Sequence, residues 1–155
     1  MAKVILVPHD GHTMSDTALK YAIDIAKGRS MKVRLVRVIP QLLDISDMSY
    51  MTPVQRKKVK EAMERKRKRT YEREYKKLKK QTSLMKSKGI EATTLVKEGR
   101  DVADEITKII KKEKPYIVVV GSRKLKSKGL SRIRILGSVA RKLSVESTRP
   151  LLIVK

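Results

Sequence analysis

Ile117-Val118-Val119-Val120-Gly121-Ser122-Arg123 is the stretch on which the reading of this chain turns. A short apolar run without alternation suits a strand covered on both faces, the kind that parallel sheets contain. The run stops at a glycine, crosses a strongly basic segment, and resumes at Gly137-Ser138 ahead of Val139, Ala140 and Leu143 at helical spacing. Strand, glycine turn and a second glycine opening a helix is the arrangement by which parallel α/β folds bring backbone N–H groups up to phosphate.

The same alternation of elements extends in both directions. Val4 to Val7 is another continuous apolar run, ending in the turn cluster Pro8-His9-Asp10-Gly11. Ser15 or Asp16 then suits the cap of a helix carrying Ala18, Leu19, Ala22, Ile23 and Ala26, with Gly28 closing it. Met31 to Ile39 reads as a strand stopped by Pro40, and residues 41–53 as a loop. From Val54 to Lys88 the spacing predicts one helix, with Val59, Met63, Tyr71, Tyr75, Leu78, Thr82 and Met85 as its apolar stripe. Glu64 to Thr70 interrupts that stripe with no apolar residue. Such a helix would be ~50 Å long at 1.5 Å per residue, more than a small sheet can cover, so its basic first half is expected to overhang the body or break away. Gly89 ends it, and Ile90 to Val96 alternates as a strand. Val102, Ile106, Ile109 and Ile110 mark a further helix, with Lys111 and Lys112 in its last turn and Pro115 after it. Tyr116 to Val120 and Leu151 to Val154 are the fourth and fifth strands. Strands alternating with helices require crossover connections, hence a single five-stranded, doubly wound parallel sheet with helices on both faces, Rossmann-like, in one domain over residues 1–155.

Composition narrows the chemistry. The 155 residues include no cysteine and two histidines, which removes thiol catalysis, iron–sulfur clusters and zinc ribbons and disfavours metal hydrolysis. No apolar stretch approaches the length of a membrane span, and Met1-Ala2-Lys3 runs directly into a strand, so a cytoplasmic protein with no membrane contact is the expectation. The net charge is +23, and its distribution is uneven. Arg56 to Lys88 holds sixteen Lys or Arg against four Glu, and Arg123 to Arg134 adds six more cations with no acid. A field of that sign concentrates polyanions whatever fold lies beneath it, and it equally suits a solvated surface.

In open parallel sheets ligands lie beyond the carboxyl ends of the strands, where strand order reverses. The turns reaching that crevice are Asp10-Gly11, Val38 to Pro40 and Gly121 onward. Asp10 offers an acceptor for a ribose hydroxyl or an adenine amino group, or simply an Asx turn; Gly137 and the Ser138 hydroxyl suit phosphate, or close helix packing. His9 and His12 flank Asp10 and suit phosphate contact or proton transfer, though loop histidines are more often idle. Neither a Walker A sequence nor a Gly-x-Gly-x-x-Gly fingerprint occurs, and no catalytic set or metal-ligand spacing stands out.

These residues together resemble the universal stress protein family over essentially the whole chain. The match is carried by Ile5-Leu6-Val7-Pro8 with Asp10-Gly11, Glu98-Gly99, Ile117 to Arg123, Leu136-Gly137-Ser138-Val139-Ala140 and Arg149-Pro150-Leu151-Leu152-Ile153-Val154. The resemblance implies a five-stranded parallel sheet of the adenine nucleotide alpha hydrolase-like kind and a homodimer through the last strand, Leu151 to Val154. Many members bind ATP through Gly-x2-Gly-x9-Gly followed by Ser or Thr; others lack the motif and do not bind it. Carried over by position, Asp10 and Val38 would lie near the adenosine, Gly121 near the ribose, and Gly137, Ser138 and Val139 at the phosphates, with Mg²⁺ accompanying them. This chain departs from the motif at the second glycine, where it has Lys124, and Leu125 to Leu136 is twelve residues where the pattern has nine. Lys124 would add a cation beside the triphosphate or fill the space that glycine leaves, and Gly129 would take over the turn in a shifted loop.

Three functions follow as expectations: an adenine-nucleotide binding regulator of the stress response with little turnover; a polyanion or nucleic-acid binding module using residues 56–88 with the nucleotide site empty; and a nucleotide hydrolase drawing on His9, His12 or Asp10. No catalytic residue and no metal ligand is assigned.

Overall fold

The computed structural model describes residues 3–41, 48–122 and 136–155. Among the described residues five strands and four helices alternate: β1 (Val4–Pro8), α1 (Thr13–Arg29), β2 (Lys32–Pro40), α2 (Pro53–Ser87), β3 (Ala92–Gly99), α3 (Val102–Glu113), β4 (Ile117–Gly121), α4 (Ser138–Glu146) and β5 (Leu151–Val154). All strands pair in parallel in the order β3-β2-β1-β4-β5, so the sheet is the five-stranded Rossmann-like one expected. Chain order reverses at β1, which lies between β2 and β4.

The apolar runs split by strand periodicity into two cores. Ile5, Val7, Val33, Leu35 and Val119 face α1 and α2, while Leu6, Val36, Val38, Val118 and Val120 face α3 and α4. The two arginines of β2 obey the same alternation. Arg34 meets Glu113 at the end of α3 at 2.8 Å, and Arg37 points the other way, to Glu74 of α2 at 3.4 Å.

Several local expectations are corrected. α1 begins at Thr13 with His12 as its N-cap, so Ser15 and Asp16 lie inside the first turn rather than capping it. Its C-terminal stop is Ser30, in the left-handed region at φ 50°, and not Gly28. Both strands flanking α2 run further than their apolar residues suggest, β2 through Pro40 and β3 through Gly99, because paired neighbours carry the ladder past the last apolar side chain.

α2 is one unbroken helix of 35 residues, started by a capping box between Thr52 and Gln55 with Pro53 just inside. Its buried residues are Glu74, Leu78, Thr82 and Met85, whereas Tyr71 and Tyr75 are exposed. The buried face is thus rotated from the expected stripe. Glu74 takes the place of a tyrosine because Arg37, Arg73 and Lys77 surround its carboxylate, and the tyrosine rings stack on each other outside at 6.3 Å. No residue from Pro53 to Arg73 is buried, and Arg67, paired with Glu98 at the end of β3, is the N-terminal-most ion-pair contact of α2 with the sheet among the described residues. About 20 Å of helix continues past that pair, which is the expected overhang without a break.

Candidate functional site

The carboxyl ends of β1, β2 and β4 converge where strand order reverses. At the end of β1, Gly11 has φ 86°, a conformation that side chains disfavour, and this lets the chain double back into α1. Asp10 Oδ1 holds the turn by accepting the His12 N–H at 3.0 Å and the Ser15 hydroxyl at 2.6 Å. The Asx turn allowed for in the sequence is therefore formed, and it explains the early start of α1.

His9 is buried, and both ring nitrogens are engaged. Nδ1 accepts the Gly11 N–H at 3.3 Å, and Nε2 lies 3.0 Å from Asp16 Oδ1 and 3.5 Å from Gln81 Nε2. With Nδ1 accepting from Gly11, Nε2 is the nitrogen that faces Asp16 as donor. His9 thus ties β1 to α1 and α2, and although it is among the residues lining the cleft at the end of β1, both of its ring nitrogens already have protein partners. His12 is exposed and makes no side-chain cap bond.

A cleft of ≈ 60 Å³ opens at this point, and Asp10, Val38, Gly121 and Val139 all line it. Its floor is apolar, from Val36, Val120 and Ile106. Roughly 300–1,000 Å³ encloses a drug-sized ligand, so a cleft of this volume has room for only one part of such a molecule. Gly121 is placed there by packing: a Cβ on it would stand 2.3 Å from the Met14 carbonyl oxygen in the first turn of α1.

Gly137 and Ser138 follow at the start of α4, where the Gly137 N–H donates to Ser122 Oγ at 3.4 Å and Ser138 is exposed. Gly137 is the N-cap and provides no side-chain bond, and α4 has no acid in its first turn. The other helix starts differ: α2 has its capping box, α3 has Asp101 accepting from the Asp104 N–H at 2.8 Å, and α1 has Asp16. Among the described helices, only α4 presents an N-terminus with neither cap nor carboxylate, a site suited to an anion. α4 is anchored by Lys142, which reaches Asp104 of α3 at 2.5 Å. That bond raises the Lys142 pKa, and the Asp104 N–H, with Lys142 nearby, holds the Asp101 carboxyl below its usual range.

Six of the seven residues assigned from the sequence are described around this crevice end, Gly137 and Ser138 through the start of α4; Lys124, and with it Gly129, lies outside the described residues. Of the seven, then, Asp10, Val38, Gly121 and Val139 line the cleft itself. The sequence reading missed Ser15, Ser122 and the lining from α3. Ser122 sits next to the glycine that was noticed, but Val102 and Ile106 look like any core residues of an amphipathic helix. No group of three or more His, Cys, Asp or Glu among the described residues is arranged to hold a metal ion. No described helix is long and apolar enough to cross a membrane.

The model of the universal stress protein family matches residues 1–155, and the chain belongs to that family. Among solved structures, the hypothetical protein MJ0577 is 25% identical with a TM-score of 0.74, covering 100% of this chain and 96% of that one. The universal stress protein UspA from Lactobacillus plantarum is 15% identical with a TM-score of 0.68, covering 99% and 97%. A universal stress protein from Archaeoglobus fulgidus in complex with dAMP is 19% identical with a TM-score of 0.60, covering 100% and 98%, and another universal stress protein, in complex with cAMP, is 20% identical with a TM-score of 0.64, covering 99% and 96%. No curated protein matches the chain.

Proposed function

We propose that this protein binds an adenine nucleotide, ATP with Mg²⁺ in the first place, and serves as a regulator of the stress response with little turnover. One observation carries the reading: the α4 N-terminus, without a cap or a carboxylate, stands beside a cleft lined by Asp10 and Val38. The adenosine would enter over Asp10 and Val38, with Gly121 near the ribose. The N–H groups of Ser138 and Val139, the Gly137 backbone and the Ser138 hydroxyl would receive the phosphates. Lys124 would add a cation there. The complexes of two similar proteins with cAMP and dAMP support the ligand class. Low turnover is supported by His9, whose ring nitrogens already serve Asp16 and Gly11. The 155 residues would act as one domain and pair through β5, whose Leu151, Leu152 and Ile153 remain half-exposed at the sheet edge.

Ser138 permits a clean test because it occupies the first helical position, where proline is tolerated and Gly137 already has an extended backbone at ψ 155°. Ser138→Pro removes one N–H and the hydroxyl while leaving α4 formed. Calorimetric titration with ATP and Mg²⁺ should show saturable binding, weakened about 10-fold or more in Ser138→Pro, as loss of a hydrogen bond to a charged group predicts. Absence of saturable heat at millimolar nucleotide, or unchanged affinity in the variant, overturns the proposed site. A Lys124→Gly variant that binds more tightly would show that lysine obstructs rather than assists.

A further inference from the structure

The outward surface of α2 takes no part in the nucleotide site. This helix carries fifteen Lys or Arg against four Glu. Glu74 is buried among Arg37, Arg73 and Lys77, and Glu64 lies 3.5 Å from Arg67. Opposite Leu78 and Met85, positions three and four apart hold Lys58, Arg65, Arg69, Arg73, Lys76 and Lys80, all exposed, with Ala62 in the same row. The row spans about 33 Å at 1.5 Å per residue. Among the described residues, Lys58, Arg65, Arg69, Lys76 and Lys80 have no carboxylate within ion-pairing distance. Around Ala62 the larger neighbours Arg65, Lys66, Arg69, Thr70 and Arg73 border a hollow of ≈ 590 Å³. Repeated like charges at i and i+4, as in Arg65, Arg69 and Arg73, weaken a helix, and a polyanion laid along the row would reverse that effect.

The distribution of charge around α2 selects among polyanions. Arg65 to Arg69 is five consecutive cations, which at 100° per residue encircle the helix. An anionic membrane favours a helix with a broad apolar face, and Glu64 to Thr70 has no apolar residue at all. Stacking on single-stranded bases needs aromatic platforms, but α2 has no Phe or Trp and its two tyrosines stack on each other. A duplex presents phosphates on both walls of a major groove about 12 Å wide, which admits a helix charged on all sides. Between Arg56 and Lys80 there is no Asn or Gln to read adenine edges, and cations spaced along the whole row match successive phosphates rather than one base pair.

We infer that α2 binds double-stranded nucleic acid through its phosphates, without sequence preference, using the row from Lys58 to Lys80 and the neighbouring Lys66 and Lys68. The reading is independent of the nucleotide site. The test is fluorescence anisotropy of the full chain with a labelled mixed-sequence DNA duplex of about 20 base pairs across a salt series. If the six cations of the row engage, log K should fall with log salt with a slope near −5. Arg65→Glu with Arg69→Glu should weaken binding more than ~10-fold and make the slope shallower by about 2. Lys111→Glu with Lys112→Glu changes net charge equally on α3, across the sheet, and should cost less than ~3-fold. Circular dichroism checks that each variant stays helical, and Arg65→Gln with Arg69→Gln replaces the reversal pair if it does not. Equal losses in the two pairs, affinity that ignores salt, or tighter binding to phosphatidylserine vesicles or polyglutamate than to duplex each overturn the proposal.

Discussion

Gly121 shows how a residue that looks like a ligand contact also serves packing. With 2.3 Å between an added Cβ and the Met14 carbonyl, Gly121→Ala must move the first turn of α1 away from β4. Overpacking of this kind typically costs about 1–3 kcal/mol, and urea unfolding of the variant should show a loss of that size. Nucleotide affinity should fall along with it, because the Asp10 turn is built on the same first turn of α1 through Ser15. Asp101 belongs at this scale too. As the N-cap of α3 it accepts from the Asp104 N–H, and Asp101→Ala should destabilise by about 1 kcal/mol in the same measurement. The effect at Gly121 was not readable from the chain: it was visible as a residue type, but whether a glycine serves a ligand or a neighbouring helix depends on the atoms facing it.

At the scale of elements, strands were legible and the long helix only in part. Val118, Val119 and Val120 are apolar on both faces because helices cover both faces, so their run announces a parallel strand directly. In α2 the apolar residues are too few to define one face, and a carboxylate surrounded by cations decides it instead. Burial pushes the Glu74 carboxyl up, but hydrogen bonds from Lys77 and Arg73 and the charge of Arg37 outweigh burial and hold it below its usual value. The unfolded chain therefore takes up this proton at higher pH than the folded one. Glu74 contributes stability above the ordinary carboxylate range, and that stability is lost as pH falls through its depressed folded value. Glu74→Gln should accordingly be less stable than the parent at pH 7, with the difference shrinking in thermal melts as pH falls below the ordinary carboxylate range. Leu78, in the same buried stripe, should cost about 2–5 kcal/mol when replaced by alanine.

For the whole molecule, a net charge of +23 opposes any self-association. If dimers form through the apolar edge of β5 as proposed, salt should strengthen them by screening that repulsion, and sedimentation equilibrium at low and high salt measures the trend. A salt series in which the dimer weakens would point to an ion-paired interface instead. Strand content, parallel topology and the glycine-flanked crevice were determined by the sequence itself, since covered strands and crossover helices leave a period and a spacing that local residues carry. The inward turn of His9, the packing duty of Gly121 and the acid-free start of α4 beside Asp10 and Val38 were decided only by tertiary structure. Each depends on groups brought together from distant parts of the chain, and no local pattern records which atoms will face one another.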